Sequence, residues 1–122
     1  MSKDKRKKSV NPLESSLRRI EARHRALLGE LADLGLVVRG TIARRTNRCG
    51  NPTCRCKADP PRLHGPYPVW TRKVAGKTVT VVLRPEQAPR LQAWSRNMRK
   101  LDRLVRQMQD LGLEAAALLR ES

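Results

Sequence analysis

All three cysteines of this chain fall within eight residues, Cys49–Gly50–Asn51–Pro52–Thr53–Cys54–Arg55–Cys56, and His64 follows shortly after. This clustering constrains the fold because the chain has little else to build a core from. Its 122 residues include no Phe, one Tyr (Tyr67) and two Trp (Trp70 and Trp94), so Leu and Val must do the packing. Small cores of this kind often depend on a staple. Zinc takes four tetrahedral ligands from Cys and His, with short loops between near pairs. Four residues separate Cys49 from Cys54, and Cys56 lies one residue further on. Gly50 and Pro52 favour a turn between the first two ligands. With His64 the set becomes Cys3His, and a zinc ion is the expected cofactor. The neighbouring cations Arg48, Arg55 and Lys57 offset the negative charge of three thiolates and favour the deprotonated form that metal binding requires. Two other readings stand beside it. The cysteines are reduced and structural, with His64 in a turn, or they carry a redox or iron–sulfur role, for which three cysteines are one short of the usual set.

An odd cysteine count with no secretory segment in front of it implies a reducing compartment, and the expected location is cytoplasmic. No stretch approaches the ~20 apolar residues of a membrane span. Residues 1–11 carry Lys3, Lys5, Arg6, Lys7 and Lys8 and read as a disordered basic tail.

Residues 12–122 read as a single α+β domain. Leu13, Leu17, Ile20, His24, Leu27, Leu31 and Leu34 alternate spacings of four and three, a heptad seam on a helix over 12–35 that starts at Pro12. Its charges balance, so this helix is for packing. Gly35 is the expected left-handed stop, with Leu36 folding back on Leu31. Residues 36–84 form a basic β module: a strand over 36–48, the Cys/His metal loop, then strands over 68–74 and 77–83 joined at Ala75–Gly76, together a three-stranded antiparallel sheet. A long C-terminal heptad helix fills 85–111, with a separate turn over 85–88 before Pro89. Its seam is Leu91, Trp94, Met98, Leu101, Val105 and Met108, and Asp110–Leu111–Gly112–Leu113 repeats the stop signal of the first helix. Residues 112–122 then form a short C-terminal segment.

The run Cys49 to Cys56, then His64–Gly65–Pro66–Tyr67, Gly76–Lys77–Thr78 and Pro85–Glu86–Gln87–Ala88, resembles a family of small uncharacterised prokaryotic proteins catalogued as a domain of unknown function. The resemblance covers roughly residues 36–95. It implies a shared fold, a shared cluster and a prokaryotic, cytoplasmic setting, and no settled activity.

Lys and Arg number 27 against 11 Asp and Glu, and nineteen of the cations are Arg, whose planar fork suits phosphate. The excess lies in the β module. The candidate nucleic-acid contacts there are Arg39, Arg44, Arg45, Arg48, Arg55, Lys57, Arg62, Tyr67, Arg72, Lys73 and Lys77. Successive strand residues face opposite ways, so Arg44 and Arg45 cannot share a face, nor can Arg72 and Lys73. Trp70 is either core or a base-stacking ring. Arg96, Arg99, Lys100, Arg103 and Arg106 give the second helix a basic outer side. The expected function is a small, zinc-stabilised, non-enzymatic protein that binds DNA or RNA through its phosphates. No nucleophile–base–orienter set is present, and a four-ligand zinc site leaves no position for water. The alternative is an interaction module in which the heptad helices pair, as in a homodimer, and the charge is incidental.

Overall fold

The computed structural model describes residues 11–122. The basic tail therefore lies outside the described residues, apart from Asn11. Where the sequence reads as one domain, the chain forms two compact units. One joins the described residues up to Leu34 with Lys100–Ser122, and the other is Gly35–Arg99. The physical reason is that the two chain ends pair with each other as helices, while the sheet has a core of its own.

In the helical unit, α1 spans Pro12–Ala32. Asn11 caps it, its side chain accepting the Leu13 N–H at 2.8 Å, and Pro12 opens the first turn where its missing N–H matters least. Asp33 ends α1 in ordinary right-handed backbone, and Leu36 is 66% exposed, so neither the left-handed stop at Gly35 nor the fold-back of Leu36 forms. The second helix, α2, runs unbroken over Ala88–Glu121. Its part from Lys100 lies antiparallel to α1: Arg23 pairs with Glu114 at 3.1 Å, and Glu30 with Lys100 at 3.9 Å. Ile20, Leu104 and Leu111 are buried.

Two expectations for α2 are corrected. Gly112 does not stop the helix, and residues 112–121 are not a separate segment. A mid-helix Gly costs only about 1 kcal/mol, which burial of Leu111 and half-burial of Ala115 and Leu118 offset. The seam also shifts. After Leu101 it passes through Leu104 and Met108 to Leu111, and Val105 is 54% exposed. Leu104→Ala is accordingly expected to lower unfolding free energy by about 2 kcal/mol, near the small end for buried Leu because a two-helix pair relaxes into the void. Val105→Ala is expected to change it by less than about 0.5 kcal/mol. Urea melts of the two variants check this; equal effects would restore the earlier seam.

In the sheet unit, β1 (Thr41–Asn47), β2 (His64–Val74) and β3 (Lys77–Val82) form an antiparallel sheet in that order. Thr41 sits opposite Thr71, and Thr71 opposite Thr80. The tight turn between β2 and β3 places Ala75 and Gly76 at φ 51° and 81°, which matches the twist of a two-residue hairpin. The expected strand over 36–48 is shorter because its first residues bond to α2 instead of a strand. The Val38 N–H donates to the Trp94 carbonyl at 3.2 Å, Asn97 Nδ2 donates to the Leu36 carbonyl at 2.9 Å, and Ser95 Oγ donates to the Gly40 carbonyl at 2.7 Å. β2 in turn begins four residues early, at His64. Trp70 and Val81 share one face of the sheet and line a pocket with Leu83, Leu91 and Trp94 of the same unit. Pro85–Gln87 is a short 3-10 turn ahead of α2, close to the separate turn expected over 85–88. Among the described residues, no helix is long and apolar enough to cross a membrane.

Candidate metal centre

Strand pairing brings the expected ligands together. β1 ends at Asn47, which pairs with His64 at the start of β2 across an irregularity in register. Cys49 therefore leaves the sheet beside the residue that begins the next strand. The connecting loop is held by local bonds. Asn51 Oδ1 accepts from the Thr53 N–H at 3.0 Å and from Thr53 Oγ1 at 2.9 Å, while the Cys54 N–H donates to the Asn51 carbonyl at 3.1 Å. This is the side-chain-stabilised turn that Asn favours. Cys54 then caps a single 3-10 turn, Arg55–Lys57, which carries Cys56 inward until it is fully buried. The Arg62 N–H closes the loop on the Arg55 carbonyl at 3.1 Å.

The result is a Cys3His group. The ligand atoms of Cys49, Cys54, Cys56 and His64 all lie within 4.8 Å of one another. Cys49 Sγ and Cys56 Sγ are 3.6 Å apart, and Cys54 Sγ is 3.2 Å from His64 Nε2. Sulfurs bound at zinc's usual distance in a tetrahedron are roughly 3.8 Å apart, so the spacing fits a metal ion at the centre. The three cysteines are free thiols. His24, on α1, is not a member of the group.

The surroundings favour negative sulfur. Burial pushes the Cys56 thiol up, but the Cys49 backbone N–H, the thiols of Cys49 and Cys54 and the His64 ring together outweigh it and lower Cys56 to about 6. That N–H donates to Cys56 Sγ at 3.3 Å, and Lys57 Nζ stands 3.9 Å from the same sulfur while also donating to the Cys49 carbonyl. Cys49 moves the other way. The Asn51 backbone lowers it, but hydrogen bonding to Cys54 and Cys56 and partial burial raise it. The thiolate is thus favoured at Cys56 and disfavoured at Cys49 before any metal arrives.

The eleven candidate nucleic-acid contacts do not form one patch by register. Arg45 pairs with Tyr67 and Lys73 with Thr78, and these lie on the sheet face opposite Trp70 and Val81. Arg48, Arg55, Lys57 and Arg62 belong to the metal loop or its approach, all exposed. Arg44 sits on the Trp70 face, beside Ala88, Pro89 and Gln92. Arg72 and Lys77 are on that face too, and Arg39 precedes β1. Trp70 is half-buried, donates Nε1–H to the Arg39 carbonyl at 3.0 Å and has the Arg72 guanidinium over its ring.

Sequence reasoning passed over Asn51 and the glycine after His64. The first had a local signal, an Asn two residues before a Thr. Gly65 has φ +99°, and a Cβ there would lie 2.8 Å from the Arg45 carbonyl and 2.9 Å from the Tyr67 nitrogen. Only glycine lets β2 approach β1 closely enough at this point to seat His64.

A search of curated proteins and one of solved structures returned no match. A family model described as "Domain of unknown function (DUF6788)" matches residues 17–93, from within α1 through the cluster and the sheet to the start of α2. The chain belongs to that family, whose matched stretch contains the whole Cys3His group.

Proposed function

We propose that this protein is a small zinc-stabilised nucleic-acid-binding protein whose sheet unit contacts the phosphate backbone and which carries out no catalysis. The observation that supports this reading is the division of charge between the two units. Gly35–Arg99 holds fourteen Lys and Arg against Asp59 and Glu86, whereas the described residues of the helical unit hold eight cations and eight acids. A general preference for Arg would have spread over both units. Concentration of the excess in the unit that holds the metal group is the footprint of a polyanion surface. Arg45, Lys73 and Tyr67 on the sheet face opposite Trp70 and Arg48, Arg55 and Arg62 near the cluster loop supply cations and a ring. Four protein ligands fill a tetrahedral zinc, which fits a structural role.

The test is fluorescence anisotropy of metal-loaded protein against duplex DNA, single-stranded DNA and structured RNA in a salt series. With about five phosphates neutralised, duplex affinity is expected to fall several-hundred-fold between ~50 and ~200 mM salt. Arg45→Ala with Lys73→Ala is expected to flatten the log–log slope by about 2. Weak, salt-insensitive binding to all three would reject the reading.

A second reading has its own support. The charge-balanced helical unit leaves Leu28, Val105, Leu113 and Leu119 between 40% and 57% exposed. We propose self-association through this unit as the alternative role, and a monomer mass independent of concentration by light scattering would exclude it.

A further inference from the structure

β3 is an outer strand: β2 lies on one side of it and, among the described residues, no strand lies on the other. The Leu83 N–H, just past the end of β3, donates inward to the Pro68 carbonyl at 2.8 Å. Backbone groups alternate in direction along an antiparallel strand. Val81 and Val79 therefore also bond toward β2, while Thr78, Thr80 and Val82 aim their N–H and C=O groups outward. Edges of this kind are usually blunted by charge, Pro, a bulge or a covering segment. β3 has one charge, Lys77 at its start, with no Pro, and its register with β2 is unbroken. Val81 is 39% exposed and Val82 65%.

Beside this edge lies the pocket between the sheet and α2, about 650 Å³ and within the range of ligand sites. Trp70, Val81 and Leu83 line it from one side and Leu91 and Trp94 from the other, all within the sheet unit. A strand added to β3 would place every second side chain on the face that Val81 shares with Trp70, over this pocket. The charge around it has one sign. Arg90 lines the pocket and has no ion pair among the described residues, and Lys77 stands at the start of the edge. The acid at the pocket, Glu86, is already paired with Arg84 at 3.4 Å.

We propose that the outer edge of β3 docks an extended acidic segment of a partner protein, which adds a fourth strand to the sheet and seats apolar side chains in the Trp70–Trp94 pocket. Main-chain bonds to Thr78, Thr80 and Val82 supply affinity, and the pocket and its flanking cations select a segment that alternates apolar and acidic residues. A second copy of this chain fits the edge less well, because it would set two units of like charge side by side. The proposal goes beyond the nucleic-acid reading and does not depend on it.

The experiment uses the metal-loaded full chain and a capped peptide alternating Glu and Val, matched in length to the six residues of β3. Binding is read by Trp fluorescence and by amide hydrogen exchange. Slower exchange at the Thr78, Thr80 and Val82 amides is expected, with a change in indole emission. The same peptide with Lys for Glu, and the Glu peptide N-methylated at alternate residues, are each expected to bind about tenfold more weakly. Thr80→Pro removes one outward N–H and keeps the bonds to β2, a position where an edge strand tolerates Pro. It is expected to weaken the Glu peptide about tenfold with metal content unchanged. Equal binding of the N-methylated peptide would mean adhesion by charge alone and overturn the proposal, as would equal binding of the Lys peptide or no binding at all. Protection of the same amides without peptide, rising with protein concentration, would make a second copy the occupant and overturn it too. Should Thr80→Pro fail to fold, the N-methylated peptide with wild type decides the same point.

Discussion

Cys56→Ser is expected to abolish stoichiometric metal binding. Cys56 is the fully buried member of the group, sits 3.6 Å from Cys49 Sγ and accepts the Cys49 N–H. A serine hydroxyl there is a poor zinc ligand and does not ionise near neutral pH. It also removes the sulfur whose proton affinity the site has already lowered to about 6. Loss of an outer-sphere partner alone weakens metal binding by ten- to a hundredfold, so loss of this ligand should exceed roughly a hundredfold. Because metal binding is linked to folding, the variant should also melt at lower temperature than wild type, and chelator should lower the wild-type midpoint toward that of the variant. Elemental analysis of protein purified without a polyhistidine tag, together with thermal melts with and without chelator, measures both. One equivalent of metal retained by Cys56→Ser, or a wild-type melt indifferent to chelator, would show that the cysteines are merely reduced core residues.

Gly65→Ala is expected to destabilise the protein by about 3 kcal/mol, through a left-handed backbone that disfavours Ala and an added methyl that collides with main-chain atoms. The collision is with the Arg45 carbonyl and the Tyr67 nitrogen, neither of which can rotate away as a flexible side chain would. Relief requires β1 and β2 to separate near the Asn47–His64 pair, which would carry His64 Nε2 from its position 3.2 Å from Cys54 Sγ. The same substitution should therefore weaken metal binding, although residue 65 supplies no ligand. Gly50→Ala is the control: a Cβ there meets nothing within 4 Å, and a change of less than about 0.5 kcal/mol is expected. Chemical denaturation and competition with a chromophoric chelator read the two effects, and equal behaviour of the two variants would refute the steric argument.

The Cys3His group was legible in the sequence because ligand chemistry is tied to residue type and short spacing, and both are local. The turn at Ala75–Gly76 and the alternation of Val79 and Val81 with threonines were legible for the same reason. The early start of β2 was not. Gly and Pro such as Gly65 and Pro66 disfavour a strand interior, and only the pairing of Tyr67 with Arg45 and His64 with Asn47 makes them part of a strand. Residues 36–38 have the apolar character of a strand, but their polar backbone atoms found Trp94 and Asn97, nearly sixty residues away in sequence. The stop at Gly112 failed for a related reason. A local cap signal worth about 1 kcal/mol yields to burial of a leucine such as Leu111, which is 6% exposed. The choice of Leu104 over Val105 turns on one residue of helical phase, which periodicity alone left open.

The helical unit draws on both ends of the chain, and the sheet unit is one uninterrupted stretch, Gly35–Arg99. The two therefore differ in what must be closed to form them. The sheet unit, with all four candidate ligands, closes within that one stretch, whereas α1 meets the part of α2 from Lys100 only once the chain between them has been bridged. The entropy of bridging a long stretch falls when that stretch is already compact, so folding of the sheet unit lowers the cost of pairing the two helices.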